Sequence, residues 1–101
     1  MKLGQIDIPM DKIADFCRRW KVAEFALFGS VLREDFQPDS DVDVLVSFQP
    51  DAAKSMDAWL DMIEELKAII GREVDLVERD CLRNPFRRHR ILTTAKVIYA
   101  A

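Results

Sequence analysis

The chain has 101 residues, of which 50% are hydrophobic and 33% charged, and this predicts one compact domain with a single core over residues 1–101. No apolar run is long enough to span a membrane and the first residues lack the apolar stretch of a signal peptide, so a cytoplasmic location is expected by default. The formal net charge of −3 argues against broad nucleic-acid binding, which needs a basic surface.

Hydrophobic periodicity and turn residues predict an alternation of helices and strands. A helix is predicted over residues 9–20, a strand over 24–28, a short helix or turn over 31–36, a turn over 37–40 and a second strand over 42–48. A second helix follows over 53–70, ended by Gly71, then a third strand over 73–78 and a final helix from about residue 85. Residues 96–99 either belong to that final helix or form a short fourth strand.

The helices each carry an apolar face that is predicted to join the core. These faces are Ile13, Phe16, Cys17 and Trp20 in the first helix, Met56, Trp59, Leu60, Ile63, Leu66 and Ile70 in the second, and Ile91, Leu92, Ala95 and Ile98 in the last. Because strands and helices mix within so short a chain, we expect an α+β, two-layer fold. It is a small mixed β-sheet of three to four strands, covered by helices on one side.

Two carboxylates open the second predicted strand. Asp41 and Asp43 are one residue apart and therefore share a face of the strand, while Val42 and Val44 take the other face. Neighbouring carboxylates repel each other unless a cation lies between them. Hard oxygen ligands of this kind suit Mg²⁺, which also keeps waters and substrate phosphates in its shell.

A Gly-Ser pair ends the first predicted strand. Gly29 has no Cβ, so backbone or ligand can approach it closely, and a helical turn that begins at Ser30 would point free N–H groups at a phosphate. A phosphate site and a metal-binding acid pair, joined by one short loop, suggest Mg²⁺-dependent chemistry on a nucleoside triphosphate.

The motif formed by Gly29-Ser30, ten intervening residues and Asp41-Val42-Asp43 resembles the GS-x10-DxD motif of the polymerase β-like nucleotidyltransferases. The resemblance extends over nearly the whole chain and is closest to the minimal nucleotidyltransferases, the antitoxins encoded beside HEPN-domain toxins. It implies the nucleotidyltransferase fold, with Asp75 as the third family carboxylate. Many family members follow the Arg at position 33 with Gly, whereas this chain has Glu34, which we expect to face solvent.

The resemblance also implies a mechanism and a partner. Asp41, Asp43 and Asp75 would be the catalytic residues and would bind one or two Mg²⁺ ions, with Asp75 on the second ion or acting as general base. Gly29, Ser30 and Arg33 would bind the triphosphate of ATP. The acceptor would be a tyrosine of a cognate HEPN-domain ribonuclease toxin, which receives AMP, so that the protein acts as an antitoxin in a hetero-complex.

The same residues allow other interpretations. One alternative is a binding module that neutralises its partner by occlusion without catalysis. Another is a nucleotidyltransferase that acts on RNA or on a small hydroxyl compound. A solvated acidic loop is the ordinary explanation for a lone DxD, and a calcium loop is rejected because Val44 and Pro50 stand where Gly and Glu are needed. A Ser30–His89 hydrolase pair has no supporting motif.

The two cysteines, a basic run and Trp20 lie outside these motifs. Cys17 and Cys81 have no zinc-binding spacing and are expected to be reduced, with Cys17 in the core. The basic run Arg83, Arg87, Arg88, His89 and Arg90 is either a solvated helix face or a surface for a partner or a phosphate-bearing acceptor. Core packing is the commoner role for Trp20, with base stacking as the alternative.

Overall fold

The computed structural model describes residues 2–3, 6–32, 41–52 and 55–101. Its strands are β1 (Lys2–Leu3), β2 (Ile6–Asp7), β3 (Val22–Phe28), β4 (Val42–Phe48), β5 (Val74–Glu78) and β6 (Lys96–Ala100), and its helices are α1 (Met10–Trp20), α2 (Met56–Ile70) and α3 (Pro85–Thr94). Short 3₁₀ helices cover Gly29–Leu32 and Arg79–Cys81. None of the helices within these ranges is long and apolar enough to cross a bilayer.

Four of the strands form one mixed sheet in the order β5-β4-β3-β6. Strand β3 pairs antiparallel with β4 and with β6, whereas β4 and β5 run parallel. The short strands β1 and β2, which the sequence did not predict, form a separate antiparallel pair. The predicted α+β class and mixed sheet are confirmed.

The end of the chain takes the second of its two predicted forms. Helix α3 stops at Thr94 because Ala95 adopts an extended backbone, and β6 then adds a fourth strand against β3. The placement of Ile98 on the apolar face of the last helix is therefore wrong: Ile98 lies in β6 and packs, half-buried, against the core.

One face of the sheet carries the larger core. Alternate residues of β4, Val42, Val44 and Val46, are buried on this face, together with Phe25 and Leu27 of β3. Helices α1 and α2 cover it with Ile13, Phe16 and Cys17 and with Ala58, Met62, Leu66 and Ile70 respectively. The clustering of these side chains confirms the core role predicted for α1.

The predicted apolar face of α2 is partly wrong. Met56 is 70% exposed and Leu60 is 53% exposed, whereas Ala58 and Met62, which the periodicity did not select, are buried. The sheet contacts the side of α2 that repeats every fourth residue from Ala58 to Ile70. Helix α2 begins with Ser55, whose hydroxyl accepts the Ala58 N–H at 3.0 Å, and ends at Gly71 as predicted.

Helix α3 packs on the opposite face of the sheet. Ile91 is buried there with Ala26 and Phe28 of β3 and Leu45 of β4. The expectation that helices cover one side only is therefore wrong for α3. These apolar side chains on the second face would otherwise face water, and packing against Ile91 removes apolar surface from solvent.

Candidate functional site

The predicted carboxylates lie at the start of two neighbouring parallel strands. Asp43 of β4 and Asp75 of β5 are direct partners in the pairing register, so both project from the same face of the sheet. Neighbouring strands lie about 4.8 Å apart. Asp41 comes immediately before β4, where the Val42 N–H donates to the Glu73 carbonyl oxygen at 2.9 Å. The pairing that was expected to bring Asp75 to the acid pair is confirmed.

The three acids differ in exposure. Asp41 and Asp75 are exposed and Asp43 is half-buried. They lie on the α3 side of the sheet, because Val42, Val44 and Leu76 take the opposite, core side. We call the end of the sheet where β4 and β5 begin, with Asp41, Asp43 and Asp75, the acidic edge, and two of its three carboxylates are exposed to solvent.

Gly29 contacts the Asp43 carboxylate directly. Phe28 is the partner of Asp43 across β3 and β4, so Gly29 follows at the point where the strand ends. Its φ angle is +74°, and a Cβ built there would lie 2.2 Å from Asp43 Oδ2. A side chain would therefore be excluded both by the left-handed backbone and by the carboxylate. The sequence predicted that backbone or ligand approaches Gly29 closely, and in the structure the Asp43 carboxylate of the acid pair does so.

The segment that follows Gly29 turns at once into a 3₁₀ helix, Gly29–Leu32. The predicted short helix or turn thus begins two residues earlier than expected. Ser30 lies within it, but its side chain is outside what the structure describes. Arg33 and Glu34, and the predicted turn over 37–40, also fall outside the described residues.

The fit of the three acids to a metal ion depends on their arrangement and on their donor atoms. Within the described ranges, no three His, Cys, Asp or Glu side chains are gathered around one point. Mg²⁺ does not need such a cage, because it is usually bound by one or two carboxylates plus waters and substrate phosphates. The adjacent Asp43 and Asp75, with Asp41 beside them, offer only hard oxygen donors, so the donor set fits Mg²⁺.

A cavity of about 450 Å³ adjoins this edge. Six of its wall residues are Phe28, Gly29, Leu32, Arg90, Ile91 and Thr94. Its volume falls within the range of small-molecule sites. Arg90 was predicted only as a member of a basic run, because helical periodicity marks Ile91 as buried but does not reveal which neighbour of Ile91 lines a cavity.

Trp20 and the two cysteines lie away from the acidic edge. The Trp20 indole N–H donates to Glu65 Oε2 at 2.8 Å, and the Trp20 ring lies 6.4 Å from that of Phe16. Both cysteines are free, and burial raises the pKa of the Cys17 thiol to about 12. The packing role predicted for Trp20 and the core position predicted for Cys17 are confirmed.

Known proteins resemble this chain in sequence. The nucleotidyltransferase domain family matches residues 10–98. The Methanocaldococcus jannaschii protein provisionally named protein adenylyltransferase MJ1379 is 36% identical over 73 residues, which are 72% of this chain and 73% of that protein. Protein adenylyltransferase MntA of Thermococcus cleftensis is 38% identical over 66 residues, 65% of each chain.

Solved structures resemble it in fold. The crystal structure of a toxin–antitoxin with AMP-PNP matches with a TM-score of 0.73 and 21% identity, over 93% of this chain and 75% of that chain. A structure of tri-AMPylated Shewanella oneidensis HEPN toxin with MNT antitoxin matches with a TM-score of 0.64 and 21% identity, over 91% and 70%. At these identities the likeness concerns the fold, and it confirms the predicted one.

Proposed function

Because the chain belongs to the nucleotidyltransferase domain family, we propose that it is a Mg²⁺-dependent protein adenylyltransferase and antitoxin. It transfers AMP from ATP to a tyrosine hydroxyl of a cognate HEPN-domain toxin. The observation that carries the proposal is the pairing of Asp43 with Asp75 and the contact of Gly29 with Asp43. The Thermococcus cleftensis relative named for this activity, and the AMPylated toxin in the Shewanella oneidensis complex, support the donor and the acceptor.

In this proposal the acids hold the metal and the loop holds the nucleotide. Asp41 and Asp43 would bind Mg²⁺, with Asp75 either on a second ion or acting as the general base. Mg²⁺ when bound neutralises phosphate charge and makes the acceptor hydroxyl more acidic. Gly29, Ser30 and Arg33 would bind the triphosphate. Gly29 has a further task that its geometry supports: the missing Cβ leaves room for the Asp43 carboxylate at the end of β3.

The transfer itself is an in-line displacement. The acceptor oxygen attacks the α-phosphorus of ATP, the bond from that phosphorus to the bridging oxygen breaks, and pyrophosphate leaves with the electron pair. The hydroxyl proton passes to a carboxylate, for which Asp75 is the candidate because it is exposed and lies directly beside Asp43.

An exposed site suits a large acceptor. Asp41 and Asp75 are both exposed at the sheet edge, so a side chain presented on the surface of a folded protein can approach them without entering a deep cleft. The acceptor then supplies its own docking surface, which fits a protein substrate better than a small free hydroxyl compound.

The test compares three forms of the chain, each expressed with a tag in the native host and purified with its bound partner. These are wild type, the Asp41→Asn/Asp43→Asn variant, and a control, Asp57→Asn/Asp61→Asn, which removes the same two charges from exposed positions of α2. Intact mass spectrometry of an identified HEPN partner is the readout. We expect AMP additions with wild type and with the control, and none with the Asp41/Asp43 variant.

The other outcomes identify the alternatives. Undiminished AMP transfer by the Asp41/Asp43 variant would refute the proposal. A partner that is bound, neutralised and unmodified with all three forms would favour a module that acts by occlusion. Transfer to naked RNA or to a small hydroxyl compound, with no partner protein present, would favour a nucleotidyltransferase with a different acceptor.

A further inference from the structure

Arg90 lines the cavity that begins at Gly29. Since Gly29 also contacts the Asp43 carboxylate, this residue is shared by the cavity and the acidic edge. A nucleotide whose α-phosphate lies at the acids can therefore extend its remaining phosphates into the cavity. We propose that Arg90 binds the β- and γ-phosphates of the donor nucleotide and the pyrophosphate that leaves; this rests on the proposed function.

The polar groups of the cavity favour Arg90 as the phosphate contact. Thr94, the other polar side chain among the described wall residues, donates its hydroxyl hydrogen to the Arg90 carbonyl oxygen at 2.7 Å, so it is already used within α3. No ion pair joins Arg90 to a carboxylate in the part of the chain that the structure describes. Its guanidinium is thus available to an anion, and its fork geometry suits phosphate oxygens.

Helix α3 holds Arg90 in place. The next residue, Ile91, is buried against Phe28 on the sheet. Asn84 caps the helix by accepting the Phe86 and Arg87 N–H groups at 3.0 and 3.2 Å. The Arg88 side chain donates to the Arg79 carbonyl oxygen at 3.0 Å, which ties α3 to the segment after β5. These contacts fix the backbone of Arg90 beside the cavity, so that only its exposed side chain is ordered on binding.

The charge of the site favours a further cation beside the metal. Asp43 and Asp75 pair across β4 and β5 and Asp41 immediately precedes β4, so three carboxylates lie where the proposed function puts an anionic triphosphate. As the bond to the α-phosphorus breaks, negative charge collects on the departing pyrophosphate. A cation placed at the far end of the triphosphate stabilises that charge, and Arg90 is the described cation on the cavity wall.

The competing explanation is a base pocket. Phe28, Leu32 and Ile91 make the cavity wall largely apolar, and a guanidinium also stacks on an aromatic base. The two explanations differ in one ligand: AMP carries the base and one phosphate, whereas AMP-PNP carries the base and the full triphosphate chain. A phosphate contact at Arg90 affects AMP-PNP alone, and a base contact affects both.

The experiment measures Mg²⁺-dependent binding of AMP-PNP and of AMP by calorimetry for wild type, Arg90→Gln, Arg90→Lys and Arg87→Gln. Arg87 is exposed, lies one turn earlier on α3 and is not among the described wall residues, so it is the matched control for charge. We expect Arg90→Gln to weaken AMP-PNP binding roughly ten- to hundredfold and AMP binding less than about threefold. Arg90→Lys recovers part of the loss, and Arg87→Gln matches wild type.

The remaining outcomes overturn the inference in distinguishable ways. Equal weakening of AMP and AMP-PNP by Arg90→Gln would assign Arg90 to the base, and equal weakening by both Gln variants would reduce the effect to general charge. Wild-type-like binding and transfer by Arg90→Gln would overturn this inference alone. A wild-type chain that neither binds AMP-PNP nor modifies a partner would overturn the proposed function as well.

Discussion

Gly29→Ala tests the link between the end of β3 and the acidic edge. Two costs act at this position. The first is the left-handed backbone, φ +74°, which costs a non-glycine residue roughly 1–2 kcal/mol. The second is the new Cβ, which would lie 2.2 Å from Asp43 Oδ2, so the half-buried carboxylate must move. Overpacking of this kind costs about 1–3 kcal/mol.

Gly71 provides a matched control within the same chain. Its φ angle is +78°, but nothing lies within 4 Å of the Cβ that Gly71→Ala would introduce. The two variants therefore share the backbone cost and differ in the contact with Asp43. We expect Gly71→Ala to lose roughly 1–2 kcal/mol and Gly29→Ala about 1–3 kcal/mol more.

Urea and thermal unfolding, followed by circular dichroism, measure these differences. In a chain of this size 1 kcal/mol corresponds to a change of about 4–8 °C in Tm, so the two variants are readily separated. In the Asp43→Ala background the carboxylate is gone, and Gly29→Ala should then cost no more than Gly71→Ala. Nucleotide transfer by Gly29→Ala should fall even where the protein is folded, because Asp43 is displaced.

The reasoning would be refuted by either of two results. One is an equal loss of stability in Gly29→Ala and Gly71→Ala. The other is a Gly29→Ala cost that does not change when Asp43 is replaced by Ala, since a double-mutant cycle between residues in contact must show coupling.

Two other predictions concern residues outside the site. Hydrogen bonds from Arg19 and from the Trp20 N–H lower the pKa of Glu65 from its ordinary 4.5, so Glu65→Gln should reduce the free energy of unfolding by about 1 kcal/mol at pH 7. The difference in stability between wild type and Glu65→Gln should shrink as the pH falls below 4.5, because the wild-type carboxylate is then protonated. A difference that stays constant from pH 7 to 3 in urea titrations would contradict this. Exposed Cys81 should react with a thiol reagent in the native protein at pH 8, whereas Cys17, buried with a pKa of about 12, should react only on unfolding. Equal reaction rates of the two cysteines in the native protein would contradict this prediction.

Local patterns predicted the elements that have strong periodicity and clear ends. Strand β4 runs from Val42 to Phe48 as expected, because apolar residues at every second position and flanking turn residues mark both of its ends. Helix α1 and the glycine end of α2 were likewise predicted within about a residue. The fourth strand stayed ambiguous, since a short apolar run such as 96–99 fits a helix end and a strand equally well.

The face of a helix that becomes buried is harder to predict. Met56 and Leu60 belong to the apolar side of α2 by spacing but remain exposed, because the side of the helix that is buried runs from Ala58 to Ile70. In the same way α3 has an apolar residue at Ile91, but its sequence does not say which side of the sheet that residue will cover. Which side of a helix is buried, and which face of the sheet the helix covers, depends on where the strands present their apolar side chains.

The acid pair, the Gly-Ser turn and the family were predictable without a structure, because they depend on residue types at short spacing. Tertiary structure decided that β5 runs parallel beside β4, so that Asp75 lies opposite Asp43. It also decided that Gly29 contacts Asp43 and that Arg90 of α3 lines the adjoining cavity. Contacts between residues distant in sequence depend on strand register and helix packing, which are set by the burial of the whole core rather than by any one segment.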